Sequence, residues 1–181
     1  MNQCNVIQNN NSQSTDYFQS IQPIVDTVSE LLEEIIKESE DTTQDTFMDS
    51  AQQELILSFN SKKVPAITIN KYLMRIVKYS RPAYASIITT LIYIDKLCEM
   101  SNQILTHMNI HRLLLSCFVI SIKVNEDDYY SNEYYAKVGG ISLDELNKLE
   151  EAILSLLEFN LFIDDELYDN YEKQLSGEVQ I

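Results

Sequence analysis

A positive charge at the end of an apolar stretch is the first feature of this sequence that could do chemistry. From residue 113 to 122 only Ser116 and Ser121 interrupt the apolar side chains, and Lys123 follows directly. A helix that is apolar on every face is buried by other helices or by lipid, and a bilayer span would need about 20 residues. We therefore expect a central helix whose last turns carry one ammonium group. That group either stabilises the helix C-terminus, by about 0.3–1 kcal/mol, or donates hydrogen bonds to a partner.

Tyrosines crowd the segment that follows. Positions 129, 130, 134 and 135 are all tyrosine. Tyrosine is enriched in protein interfaces because it supplies contact area at low entropic cost. The alternative is packing of a short helix, and we expect at least two of the four to serve it. The candidates for partner contact are Tyr129, Tyr130 and Tyr134.

Four basic residues recur at helical spacing earlier in the chain. Lys71, Arg75, Lys78 and Arg81 are separated by 4, 3 and 3 positions, which predicts that they share one helix face. A solvated face, or pairing with the chain's own acidic segments, is the commoner reason for such a stripe. The alternative is docking of an anion, either a phosphorylated segment or an acidic substrate.

Residue patterns typical of catalysis and of metal binding are missing from the sequence. His107 and His111 are four apart, but Asn109 is predicted to begin a helix between them, so they need not share a face. The sequence has no zinc-protease motif and no glycine-rich phosphate loop, and its three cysteines lack zinc-ligand spacing. We expect no catalytic residue, no metal and no cofactor.

The net charge of −15 is concentrated outside the middle of the chain. Residues 1–65 carry 3 basic and 11 acidic side chains, residues 66–163 carry 9 and 11, and residues 164–181 carry 1 and 6. Nucleic acids and anionic membranes both favour basic surfaces, so we expect neither as a partner. The odd number of cysteines and the polar opening without a basic and apolar leader predict an intracellular protein, in the nucleus or the cytoplasm.

Three glycines and three prolines in 181 residues are too few for the turns of a sheet protein, which predicts an all-α fold. We expect residues 1–20 to be disordered or loosely packed, and a helix to begin at Pro23. Residues 21–60 would form a helical extension with an acidic linker, and residues 164–181 a short acidic helix and tail. The remaining part, residues 61–163, contains five predicted helices.

Several polar residues are placed to begin or end these helices. Thr46 is the predicted N-cap of a helix over 47–59, and Asn109 that of the central helix. Ser142 and Glu145 fit a capping box, and Asp164 is placed to cap the last helix. Gly139–Gly140 provide a left-handed C-cap for the short tyrosine-rich helix.

Four segments together resemble a single cyclin box. The Tyr-Tyr-x-Asn-x-x-Tyr-Ala-x-Val-Gly-Gly pattern is the most specific, and it resembles the P-type or U-type cyclins, the yeast phosphate-pathway group. The resemblance covers about residues 67–163. The segments are YIDKL (93–97), HRLLLSCFVISIKVNED (111–127), YYSNEYYAKVGG (129–140) and LNKLEEAILSLLEFNLFI (146–163).

The resemblance implies a five-helix cyclin box with additional N-terminal helices and a short C-terminal helix. It also implies a non-catalytic partner of a cyclin-dependent kinase, one that activates the kinase and helps select its substrates. In this family a Lys near the end of the third box helix and a Glu in the fifth make the central kinase contacts, and the matching positions are Lys123 and Glu150. The alternatives are a non-activating cyclin-box adaptor, a nucleic-acid-binding cyclin-like domain and a metal or redox enzyme.

Overall fold

A computed structural model describes residues 4–40, 49–100 and 105–176, and the side chains of residues 16–39, 49–99 and 105–176. Every regular element in these ranges is helical, which confirms the predicted all-α class. The eight helices are α1 (Cys4–Glu40), α2 (Ser50–Ser58), α3 (Ile69–Ser80), α4 (Tyr84–Met100), α5 (Ile110–Asn125), α6 (Asn132–Gly139), α7 (Leu143–Leu156) and α8 (Asp165–Ser176).

Helix α5 is the centre of the molecule, as the apolar run predicted. All of residues 113–122 are buried, and α3, α4, α6 and α7 pack around them. Its two serines satisfy their hydroxyls locally: Ser116 donates to the carbonyl of Arg112, and Ser121 lies 2.8 Å from the hydroxyl of Thr90 on α4. Burying each large apolar side chain stabilises the fold by about 1.5–3 kcal/mol.

The five consecutive helices α3–α7 confirm the predicted arrangement of residues 67–163. Their starts are capped by side-chain oxygens: those of Thr68, Ser131 and Ser142 accept the backbone N–H three residues on. The predicted capping box at Ser142 is only half formed, because the Glu145 carboxylate pairs with Arg112 instead.

The two glycines at the end of α6 have different roles. Gly140 has a φ of 76°, the left-handed conformation that glycine adopts without strain. Gly139 lies against Leu115 of α5, and a Cβ built there would be 2.2 Å from a Leu115 methyl group. The hydroxyl of Tyr72 on α3 also donates to the Gly139 carbonyl, at 3.1 Å. The pair therefore fixes α6 against both α3 and α5.

Residues 4–20, for which the sequence predicts disorder or loose packing, belong to α1, because that helix begins at Cys4. Pro23 lies inside the helix rather than at its start, and the predicted boundary at residue 20 cuts the helix. An interior proline costs about 3 kcal/mol. Burial of Ile21, Ile24 and Val25 on either side of it offsets that cost.

The part of α1 that precedes Pro23 is attached to the turn between α3 and α4. The Tyr17 hydroxyl donates to the carbonyl of Pro82 at 2.9 Å. The guanidinium carbon of Arg81 lies 5.9 Å from the centre of the Phe18 ring, within cation–π range. These contacts explain why the helix continues through a sequence that is otherwise polar.

Three predicted caps have different outcomes. Thr46 lies outside the described residues, and α2 begins after Asp49, whose carboxylate forms a capping box with Gln52. The prediction for Asn109 is wrong, because its side chain makes no cap bond to α5 and accepts the N–H of Thr106 instead, at 2.9 Å. Asp164 caps α8 as predicted, through the N–H of Leu167.

Candidate partner-binding surface

An ion pair joins the end of α5 to the middle of α7. The Lys123 Nζ lies 2.5 Å from Oε1 of Glu150. The two side chains are 27% and 15% exposed, so the pair is neither buried in the core nor freely solvated. An ammonium group has three donors. One is directed at Glu150, which leaves two for other acceptors.

Asn132, the first residue of α6, holds the other oxygen of the same carboxylate. Its Nδ2 donates to Oε2 of Glu150 at 2.7 Å and to Oδ1 of Asn147 at 2.8 Å. Both oxygens of Glu150 are therefore engaged by groups of this chain. The ion pair is the meeting point of α5, α6 and α7.

The tyrosines that precede and begin α6 lie at different depths. Tyr129 and Tyr130 are 53% and 49% exposed, whereas Tyr135 belongs to the core. Tyr134 is half-buried: its ring stacks on Tyr130 with centroids 4.2 Å apart, and its hydroxyl donates to the carbonyl of Tyr79 on α3. Two of the four tyrosines pack against the core, as expected: Tyr135 and Tyr134, the second of which is also a candidate for partner contact. Tyr129 and Tyr130 face outward.

Glu126 fixes the segment that leaves α5. Its backbone N–H bonds to the carbonyl of Ile122, and its carboxylate accepts the N–H of Ala83 at 3.0 Å and the hydroxyl of Ser86 at 2.6 Å. The end of α5 is thus tied to the beginning of α4. Burial raises the pKa of Tyr135 to about 12, and the Glu126 carboxylate contributes to the same shift, so this phenol stays neutral.

Exposed apolar groups near the ion pair and at the far end of α7 were not identified from the sequence. Val124, next to Lys123, is 49% exposed. Phe159 and Phe162 follow the end of α7 and are 68% and 75% exposed. Glu158 and Phe159 both have positive φ, 51° and 57°, which is uncommon for residues other than glycine. The available signal was two phenylalanines shortly before Asp164, the predicted cap of the last helix.

The basic stripe is only partly a common surface. Lys71 and Lys78 are exposed on α3, whereas Arg75 is half-buried and donates to the carbonyl of Lys137 at the end of α6, at 3.4 Å. Arg81 lies beyond the last turn of α3 in the left-handed conformation and contacts Phe18. The prediction that all four share one helix face is therefore wrong for Arg81. The three residues inside α3, Lys71, Arg75 and Lys78, do have the spacing of one helix face.

His111, Cys98 and Cys117 have structural surroundings. One ring nitrogen of His111, Nε2, lies 2.8 Å from the carbonyl of Ile67, and its ring packs edge-on against Tyr72. Burial raises the pKa of the Cys98 thiol to about 12 and raises that of Cys117 as well, so both remain unreactive thiols. Within residues 4–40, 49–100 and 105–176, no group of three His, Cys, Asp or Glu side chains is placed to hold a metal ion.

No helix in the described part of the chain is both long and apolar enough to cross a membrane.

The described fold, with one buried helix walled by four others and an ion pair at its exit, agrees with a comparison of sequences. The family model of the cyclins matches residues 15–161. That range includes most of α1 as well as α2–α7. The chain belongs to the cyclin family, whose members are regulatory, non-catalytic subunits, in agreement with the expectation that this chain is not an enzyme.

Relatives place the chain among the P-type and U-type cyclins. It is 37% identical to Cyclin-U1-1 of Arabidopsis thaliana over 125 residues, which are 68% of this chain and 60% of that protein. It is 34% identical to Cyclin-P3-1 of Oryza sativa subsp. japonica, over 68% of this chain and 52% of the relative. PHO85 cyclin-7 of Saccharomyces cerevisiae is 36% identical over 82% of this chain and 58% of its own length. The chain thus spans between half and three fifths of these relatives.

Proposed function

We propose that this chain is the regulatory subunit of a cyclin-dependent protein kinase, which it binds and activates and whose substrates it helps to select. The observation that carries the proposal is the Lys123–Glu150 pair at the surface end of the buried helix α5. Half-exposed apolar and aromatic side chains stand beside it, at Val124, Tyr129 and Tyr130. Aromatic residues are enriched in protein-binding surfaces, and an ammonium group with donors to spare can bond to a partner's acceptors.

The contact chemistry follows from which atoms remain available. Both oxygens of Glu150 are engaged inside the chain, whereas Lys123 keeps two donors. The kinase would therefore supply acceptors to Lys123, such as backbone carbonyls at a helix end or in a loop. Tyr129, Tyr130 and Val124 would cover apolar side chains of the kinase. Phe159 and Phe162, at the end of the helix that carries Glu150, would extend this surface.

Activation would be a bias between two states of the kinase. In an active kinase a Glu of the mobile C-helix pairs with the ATP-binding Lys, and the activation loop is ordered. Packing of α5 and α7 against that helix would hold it inward. Phosphoryl transfer would remain the work of the kinase, with no cofactor in this chain. The name of PHO85 cyclin-7 connects that relative with PHO85, and this supports a dedicated partner of the same kind for this chain.

Capture from native cells, followed by a phosphorylation assay, tests the proposal. Tagged wild-type chain should recover a cyclin-dependent kinase and increase its activity. Lys123→Glu should abolish recovery and leave the far-UV helical signal intact, because the side chain lies at the surface end of α5. Arg112→Glu is the matched control, a charge reversal at the other end of α5, and it should still capture the kinase.

The same assay separates activation from adaptor function. A kinase that is recovered at normal yield and gains no activity would show a non-activating adaptor. Recovery of the kinase by Lys123→Glu as efficiently as by wild type would contradict the assigned surface.

Substrate selection would use the basic face of α3. Lys71 and Lys78 are exposed and two turns apart, with Arg75 between them, a pattern that fits an acidic or phosphorylated segment of a kinase substrate. Reversing both lysines to glutamate should weaken phosphorylation of such a substrate without changing kinase recovery. Reversal of Arg75 is less informative, because it also removes the bond to Lys137. Equal rates for wild type and the double variant would remove the docking role.

A further inference from the structure

Asn132, in the tyrosine-rich segment, makes side-chain hydrogen bonds that the start of a helix does not require. Asn132 is the first residue of α6, and the N-cap function there belongs to Ser131, whose hydroxyl accepts the N–H of Tyr134. The Asn132 side chain is directed away from its own helix toward α7. It reaches the Glu150 carboxylate at 2.7 Å.

The orientation of this amide is set by the carboxylate. A carboxylate only accepts hydrogen bonds, so the NH₂ of Asn132 must face Glu150. Lys123 occupies Oε1 and Asn132 occupies Oε2, so Glu150 is held from both sides. A carboxylate fixed in this way fixes the position of the ammonium group bound to it.

We infer that Asn132 is a positioning residue for the partner-binding surface, which sets the Lys123–Glu150 pair in the orientation that a kinase binds. The inference rests on the proposed function, because it assigns the purpose of the arrangement to kinase binding. Asn132 itself need not touch the partner. Without its hydrogen bond, Glu150 can rotate about its own side chain, and Lys123 is free to follow it.

Two roles for Asn132 make opposite predictions for replacement by aspartate. An acidic residue in the first turn of a helix interacts favourably with the helix dipole. If Asn132 served only the start of α6, Asn132→Asp would be neutral or stabilising. If it positions Glu150, the new carboxylate would lie against the carboxylate of Glu150 and repel it. The Lys123–Glu150 pair would then separate.

The experiment is a double substitution measured by kinase binding. Asn132→Asp should weaken binding of the captured kinase about tenfold or more, since hydrogen bonds to charged groups are the strong ones. Adding Glu150→Gln should recover most of that loss, because the glutamine NH₂ can donate to the introduced aspartate while its oxygen faces Lys123. Asn147→Ala, which removes the second acceptor of Asn132 without touching Glu150, should change binding less than about twofold.

The outcomes separate the inference from the proposed function. A wild-type chain that captures no kinase removes the proposed function. If the wild type binds but Asn132→Asp binds equally well, the positioning role is wrong. It is also wrong if the double variant binds no better than Asn132→Asp alone, because the loss would then come from elsewhere in α6. Thermal unfolding of each isolated variant shows whether a loss of binding merely follows a loss of fold.

Discussion

Two ion pairs join α5 to α7, one near each end of α5. Arg112 and Glu145 lie 2.6 Å apart and are 23% and 36% exposed, and Lys123 and Glu150 lie 2.5 Å apart and are 27% and 15% exposed. By distance and burial the two are similar. Their surroundings differ: His111 and Leu113 beside Arg112 are half-buried and buried, whereas Val124 beside Lys123 is half-exposed and Tyr129 and Tyr130 follow.

The comparison shows that the geometry of an ion pair does not reveal its use. Part-exposed pairs contribute little to stability, typically about 0–1 kcal/mol, wherever they are. What distinguishes the Lys123 end is the apolar and aromatic surface around it, which a partner can cover. Beside Arg112, the neighbours His111 and Leu113 are half-buried and buried, and Leu143 near Glu145 is 38% exposed, so less apolar and aromatic surface is exposed there. The following changes would break or sharpen this contrast.

Inverting each pair should give the largest difference. Lys123→Glu with Glu150→Lys keeps an internal ion pair but removes the ammonium group from its place, and kinase binding should fall by about 100-fold or more. Arg112→Glu with Glu145→Lys should leave binding within about threefold of wild type. Surface plasmon resonance with the captured kinase measures both. Equal losses for the two inversions would end the distinction.

Removing an exposed ring should have a smaller effect on the same measurement. Tyr130→Ala should weaken kinase binding by about tenfold, because aromatic residues near the centre of an interface contribute most of its energy. Tyr79→Ala removes a ring of similar exposure, 52% against 49%, and should alter binding less than twofold by the same principle that peripheral contacts are near neutral. A larger loss at Tyr79 would move the surface toward α3.

Truncating Arg112, near the start of α5, should affect stability and leave kinase binding unchanged. Arg112→Ala should lower the free energy of unfolding by up to about 1 kcal/mol, as expected for a part-exposed pair. Kinase affinity should not change. Urea denaturation monitored by circular dichroism measures the free energy of unfolding, and the binding assay measures the kinase affinity. A measurable loss of affinity would make Arg112 part of the binding surface.

The smallest effect concerns pH and is also confined to the Arg112 end. Burial lowers the pKa of His111 from 6.5, although Glu33 opposes the shift, and its Nδ1 is buried without a hydrogen-bond partner among the described residues. The unfolded chain therefore binds a proton more readily than the folded chain. Stability should be complete above about pH 6.5 and fall as the pH drops through that value toward the lower pKa of the folded chain. Thermal unfolding between pH 7.5 and 5 tests this, and His111→Gln should flatten the slope.

The box helices were predictable because their signals are local and agree with one another. The apolar run of α5, the cap at Ser142 and the two glycines at the end of α6 each specify a boundary, and the structure has these boundaries within a few residues. The start of α1 was not predictable from the same rules. Pro23 is a strong local signal for a helix start, and the burial of Ile21 and its neighbours that overrides it exists only in the folded chain.

The candidate surface was predictable in part. The family pattern named Lys123 and Glu150 as kinase-contacting residues, and the structure joins the two side chains in an ion pair of 2.5 Å, whereas their contact with a kinase stays a prediction. The role of Asn132 depends on a contact between α6 and α7, which no spacing within either helix encodes. The left-handed backbone that exposes Phe159 is likewise a tertiary effect, since the residue type disfavours it.

The carboxylate of Glu126 has a practical consequence for following complex formation. It accepts a hydrogen bond from the N–H of Ala83. The preceding residue, Pro82, accepts the hydroxyl of Tyr17 on α1 through its carbonyl. A movement at the end of α5 on kinase engagement would change the length of the bond between Ala83 and Glu126, so the exchange rate and chemical shift of the Ala83 amide should respond. A nucleus outside α5 would thus report occupancy of the surface.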